Sequence, residues 1–336
     1  QRTPQFMIPA RHHTVDSHYL DEVKTRYDEV WDTARHSVAG FPYTPTDKSA
    51  LEATAEERQA AYEAGWAEGG FRFTGASFKD IGIDLRANAT AAEFIRGKIR
   101  ETVDDPETAE KLVPTDHPYG SKRTLIDTNY FETYNRDNVE LVDIRHAPIQ
   151  EITPRGIRTE DGEYELDIIV FATGFDAMTG SFFKMDIRGK DGVQLKDKWA
   201  EGPQTYLGLS VAGFPNMFMI TGPGSPSVLS NMPVSIEQHV EWISDLVEYT
   251  GEHNVETVEA DEDAQTAWVA HVNDIASKTL FPLANSWYLG ANIPGKPRAF
   301  MPYPGGVGNY RAKCDEVTAN GYEGYTLTPT QVEAAT

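Results

Sequence analysis

Ten residues constrain this chain most: Asp167-Ile168-Ile169-Val170-Phe171-Ala172-Thr173-Gly174-Phe175-Asp176. Consecutive β-prone apolar side chains between an acid and a small-residue turn predict a buried strand from Glu165 to Phe171 that stops at Gly174. An absence is equally telling. No Gly-x-Gly-x-x-Gly loop follows a strand anywhere in the 336 residues, and the chain opens at Gln1 without a methionine. The expectation is the C-terminal part of a larger protein.

Composition narrows the class. At 40% hydrophobic and 24% charged residues the chain has the balance of a globular protein long enough for two domains. Its 52 acidic and 30 basic residues give a net charge of -22, which repels polyanions and anionic bilayers, so nucleic acid and membrane are not expected partners. In such a chain any clustered Arg and Lys stand out as a place for a phosphate. The single cysteine, Cys314, rules out an internal disulfide framework and a cysteine-based zinc site, and a reducing cytoplasm is expected. No apolar run approaches the roughly 18 to 20 residues of a membrane span.

Along the chain, residues 1 to 10 read as a strand end and a proline-bounded turn. Leu20, Val23, Tyr27, Val30, Trp31 and Ala34 recur at helical spacing from Asp16 to Ala34. Thr54 with Glu57 forms a capping box that opens a helix ending near Gly69-Gly70, Thr90 with Glu93 opens another to about Val103, and Asp105-Pro106 starts a third. Short β-prone runs follow at Thr124–Ile126, Val139–Asp143, Ile149–Ile152, Gly156–Thr159 and Met217–Thr221. Helices are predicted from about Ser235, with Ile236, Val240, Ile243 and Leu246 as its buried stripe, and from Asp261 to Ser277. The fold class is α/β.

Three places carry candidate chemistry. Gly222-Pro223-Gly224-Ser225-Pro226-Ser227 lies between a predicted strand and a helix, where free backbone N–H groups and the helix dipole favour an anion or the pyrimidine edge of a flavin; an ordinary strand-to-helix connection is the alternative. Arg2-Thr3 follows a strand end, where Arg suits the 2′-phosphate of NADP. Lys122-Arg123 ends a Gly/Pro turn at the mouth of a strand, where a guanidinium can hold a phosphate or a developing oxyanion. His12, His13 and His18 lack metal-ligand spacing, and His239 reads as a helix-surface or packing residue, so no metal is expected. Ser286-Trp287-Tyr288, before a glycine-rich stretch, reads as an aromatic lid or as simple packing.

Taken in order, Gln1–Pro4, Gly120–Arg123, Phe131–Asn138, Ala172–Asp176, Gly213–Ser227, Ser235–Trp242 and Ser286–Pro297 resemble the C-terminal part of the Baeyer-Villiger flavin monooxygenases. The resemblance implies a partial two-dinucleotide-binding-domain flavoprotein, Rossmann-like, with a helical insertion. Residues 1–8 and 118–166 would be the remainder of the NADP-binding domain, 9–117 the insertion, and 167–330 the C-terminal half of the FAD-binding domain. It implies an enzyme that uses NADPH and FAD to insert one oxygen of O2 beside a ketone carbonyl. By the same resemblance Arg123 is catalytic. Arg2, Thr3 and Lys122 hold the 2′-phosphate, Thr173, Gly174, Met232 and Trp287 lie at the cofactors, and Ser227, Val228 and Leu229 shape the ketone pocket. The family's glycine loops and an active-site aspartate have no counterpart in this sequence, so the free chain is expected to bind FAD poorly. Two alternatives stand beside this reading: a flavin monooxygenase that oxygenates nitrogen or sulfur, and a non-catalytic relic.

Overall fold

The computed structural model describes residues 1–12, 14–43 and 46–331; His13 lies outside them. The chain forms two compact units, one of Gln1–His13 with Pro45–Phe175, the other of Thr14–Thr44 with Asp176–Thr336.

The first unit is built on a parallel pair, β1 (Met7–Pro9) and β2 (Leu125–Asp127), in the register Met7 opposite Leu125. Phe6 and Ile8 enter a core with Tyr62, Phe73, Phe78, Ile95, Ile99, Leu112 and Tyr119. The helices that supply this core start where side chains satisfy their first N–H groups. Ala55–Glu68 opens on the Thr54–Glu57 capping box and ends at Gly69. With φ of +76°, and Pro9 O 2.7 Å from where a Cβ would sit, Gly69 is a position only glycine fills. Pro106–Leu112 opens on Asp105, whose carboxylate accepts from the Thr108 N–H.

The helix expected from Thr90 starts earlier, at Leu85, because Asp84 accepts from the Arg86 and Ala87 N–H groups. The small Ala87, Ala91 and Ala92 then pack closely in the core, while Thr90 turns its hydroxyl to Tyr62. An antiparallel meander follows: β3 (Ile149–Thr153), β4 (Gly156–Thr159) and β5 (Glu163–Glu165). Two expected strands are absent. Val139–Asp143 forms no ladder, and β5 stops at Glu165. Beyond it the Asp167–Gly174 run joins no ladder among the described residues and is open to solvent, with Ile168 80% and Val170 83% exposed. An apolar, β-branched sequence supplies propensity, but a strand also needs a ladder partner for its N–H and C=O groups.

The second unit packs three helices, Met232–Glu252, Glu262–Ser277 and Val307–Ala319, with an antiparallel pair, β6 (Val255–Ala260) and β7 (Tyr325–Pro329). Its core is aromatic, with Trp242, Trp268, Tyr288, Tyr303, Tyr310, Tyr322 and Tyr325 around the buried Cys314. The predicted Asp16–Ala34 helix is broken at Arg26 into Ser17–Thr25 and Tyr27–His36. Of its apolar stripe only Ala34 is buried. Met217–Thr221 is not a strand.

The long Met232–Glu252 helix departs most from its pattern. Val234, Ser235, Gln238, His239, Trp242 and Leu246 are buried, whereas Ile236 and Val240 face outward. Aromatic and hydrogen-bonding partners, not side-chain hydropathy, select the face. Trp242 packs on Tyr322, and its indole N–H donates to Cys314 O.

Candidate functional site

In the first unit, β1 and β2 run parallel, and the two basic islands precede them at the same end. The Leu125 N–H donates to Phe6 O, and the Gln1 ammonium and carbonyl are bonded to Val142 O and the Ile144 N–H. Arg2 is exposed and Thr3 half-buried on this edge.

The turn that presents the second island is fixed from below. Asn88 donates from Nδ2 to Ile81 O and Tyr119 O, and accepts the Tyr119 N–H at Oδ1, all at 2.7–3.0 Å in the core. Gly120 follows with φ of +75°, and Ser121 folds back on Pro118 O. This seat delivers Lys122 and Arg123 to the strand mouth.

Lys122 is held there by a carboxylate. Its Nζ lies 3.5 Å from Asp116 Oδ2, and the other Asp116 oxygen is 2.6 Å from Nδ1 of the buried His117. Burial raises the Asp116 carboxyl, but the bond from His117 and the charges of His117 and Lys122 outweigh it, so the group is held below the usual carboxylate range. Burial also lowers His117, against the pull of Asp116. Arg123 is exposed, with its guanidinium carbon 5.9 Å from the centre of the Phe71 ring.

In the second unit the Gly222–Ser227 loop is self-packed. A Cβ on Gly222 would meet Gly208 O at 2.5 Å, and one on Gly208 would meet the Ser225 nitrogen at 2.4 Å. Two of its four amides are also consumed, as is the one just before it. The Thr221 N–H donates to His239 Nδ1, that of Gly224 to Met301 O and that of Ser225 to Gly222 O. The free-amide cradle expected there is therefore not formed by these three groups. Their glycines serve close backbone approach.

Ser227, buried with φ of +42°, starts a short turn, Ser227–Leu229, that leads into the helix at Met232. Val228, Leu229 and Trp287 flank one and the same aromatic core, and Trp287 opens the turn Trp287–Leu289 with its ring 4.5 Å from Tyr288. Thr173 and Gly174 lie on the exposed run of the first unit. Among the described residues no group of His, Cys, Asp or Glu could hold a metal, and no helix is long and apolar enough to cross a membrane.

The structure thus brings Arg2, Thr3, Lys122 and Arg123 to one strand mouth, and Ser227, Val228, Leu229 and Met232 to one turn-to-helix junction. Sequence reasoning missed Asn88, Asp116 and the anchoring role of His239. Each acts through a folded contact that no local pattern announces.

No family model matches the chain. A Baeyer-Villiger monooxygenase of Pseudooceanicola batsensis is 47% identical over 324 residues, 96% of this chain and 59% of the relative. Phenazine N-monooxygenase PhzNO1 of Lysobacter antibioticus is 44% identical over 97% of this chain and 60% of the relative. Among solved structures, the OTEMO complex with FAD and NADP superposes with a TM-score of 0.94 at 40% identity, covering 98% of this chain and 61% of that one. The chain is therefore homologous along nearly its whole length to Baeyer-Villiger monooxygenases, shares their α/β flavoprotein fold, and spans about 60% of the length of the relatives it matches.

Proposed function

We propose, from this homology, that the chain carries part of an FAD- and NADPH-dependent Baeyer-Villiger monooxygenase that converts a ketone to an ester or lactone with O2. The observation that carries the reading is the basic strand mouth in a chain of net charge -22. Arg2, Lys122 and Arg123 precede a parallel strand pair, with Asp116 as the carboxylate that holds Lys122. That donor set fits a cofactor bearing a 2′-phosphate: Arg2 and Lys122 supply charge, and Thr3 supplies a hydroxyl. The aromatic turn at Trp287 and the Ser227–Met232 junction offer apolar and polar edges to the ring systems of the two cofactors and to the ketone. Thr173 and Gly174 belong at the flavin in the same reading. The proposed partition is 1–8 with 118–166 for NADP, 9–117 for the insertion and 167–330 for FAD. A cytoplasmic location, with a small-molecule ketone and O2 as partners and neither nucleic acid nor membrane, completes the proposal.

A bound, reduced flavin would activate O2, one atom of which enters the substrate while the other leaves as water. Arg123 then has one task that its chemistry suits. Its permanent cation, set at the end of a turn fixed by Asn88, stabilises negative charge gathering on oxygen as the carbonyl is attacked. Lys122, steadied by Asp116, holds the nicotinamide cofactor by its phosphate.

In the full-length enzyme, Arg123→Ala is expected to lower ester formation by about 10²–10³-fold, the cost of one oxyanion donor, while NADPH oxidation continues. Unchanged ester yield would remove Arg123 from the chemistry. A second reading, oxygenation of nitrogen, is favoured by the 44% identity to the phenazine enzyme. Product analysis with a ketone and an N-heteroaromatic in competition separates the two.

A further inference from the structure

Lys296 joins the turn at Gly290 to Asp176 and Ala177, a segment of the second unit about 120 residues earlier in the chain. Its aliphatic stem lies on Gly290, the left-handed residue (φ +70°) that closes the Trp287–Leu289 turn. A Cβ there would stand 3.1 Å from Lys296 Cδ. Its ammonium group donates to Asp176 Oδ1 at 2.5 Å and to Ala177 O at 3.1 Å. Only 9% of the lysine side chain is exposed. Asp176 is itself seated, because its side chain fills the space beside Gly180. The loop between the turn and the lysine is closed in steps, the Ile293 N–H bonding to Gly290 O and the Lys296 N–H to Ile293 O.

A lysine this buried is held by its single carboxylate, and a buried charge left without its partner is strongly destabilising to the local structure. The arrangement works as a clasp, with the stem against one end of the aromatic turn and the head on the segment that directly follows Thr173-Gly174. We propose that Lys296 is a positioning residue that fixes the Trp287–Gly290 turn through Asp176, and so sets where the Trp287 ring stands for the nicotinamide cofactor. The cofactor clause rests on the function proposed above; the clasp itself does not. A second tie in the region, Arg298 to Asn285 Oδ1, is solvent-exposed and serves as a control.

The test is hydrogen exchange of the Leu289, Gly290 and Ile293 amides in the protein. Lys296→Met keeps the stem and removes the charge; it is expected to speed exchange of these amides about tenfold, the size of a lost local contact. The Val307–Ala319 helix should be unchanged. Lys296→Arg should restore slow exchange, Asp176→Asn should reproduce the Lys296→Met effect, and Arg298→Met should have none. Exchange at the wild-type rate in Lys296→Met, or a rise spread equally over the Val307–Ala319 helix, would overturn the clasp. The cofactor clause is read separately, by NADP+ titration of the full-length enzyme. Weaker binding in Trp287→Ala supports it, and weaker binding in Lys296→Met extends it to the clasp. A Trp287→Ala variant that binds NADP+ normally removes the cofactor reading, whatever the exchange data show.

Discussion

Acidification should destabilise the second unit through His239. This imidazole is fully buried; its Nδ1 accepts the Thr221 N–H at 2.9 Å, and the Tyr310 ring stands 5.5 Å away. Because Nδ1 accepts, the proton of the neutral ring is on Nε2, which has no partner among the described residues. A second proton must enter at Nδ1, displace the Thr221 bond and place a charge in the core. Burial accordingly pushes the pKa down to about 4 from the ordinary 6.5.

Between those two values the unfolded chain binds the proton and the folded chain does not, so stability rises with pH across the window and is lost as pH falls through it. At about 1.36 kcal/mol per decade, moving from pH 7.5 to 4.5 removes about 2.5 kcal/mol. His239→Asn puts an amide oxygen where Nδ1 was and abolishes the titration. Urea unfolding of both proteins, followed by tryptophan fluorescence at the two pH values, isolates this contribution. The many carboxylates titrate alike in both, and the variant should lose about 2.5 kcal/mol less than the wild type over this range. Equal losses in the two proteins would refute the buried-neutral assignment.

Two further outcomes follow from buried polar groups. Asn88→Leu strands the Tyr119 N–H and the carbonyls of Ile81 and Tyr119, and should cost about 2–3 kcal/mol in urea unfolding. The Cys314 thiol, fully buried with its pKa pushed up to about 12, should stay unreactive to a thiol-disulfide reagent at pH 8 in the native protein and react once per chain in urea.

Local chemistry was legible wherever its partners lie within a turn or two of sequence. The Thr54–Glu57 box and Asp105-Pro106 specify helix starts because cap and capped groups are three residues apart. Gly69 specifies a helix end because its backbone conformation is its own property. The clustering of basic residues against a net charge of -22 likewise belongs to composition, and the order of short segments from Gln1 to Pro297 was enough to point to the family.

What escaped depended on contacts with distant residues. Thr90–Glu93 has the form of a cap, but Asp84 takes that role because the alanine face beyond it packs into the core. The apolar Ile236 and Val240 stand on a helix face that stays partly exposed, while His239 goes inside because Tyr310 offers an aromatic ring and the Thr221 N–H a donor there. The Asp167–Asp176 run has every local property of a strand, yet lacks a ladder partner. Lys296 and Asp176 meet across 120 residues of chain. The sequence by itself determined the helix starts at Thr54 and Asp105, the helix end at Gly69, the sign of the charge and the identity of the candidate residues. The tertiary structure alone decided which faces are buried, which cations are held by acids and which turns are clasped, because those outcomes are set by long-range packing and by the satisfaction of buried polar groups.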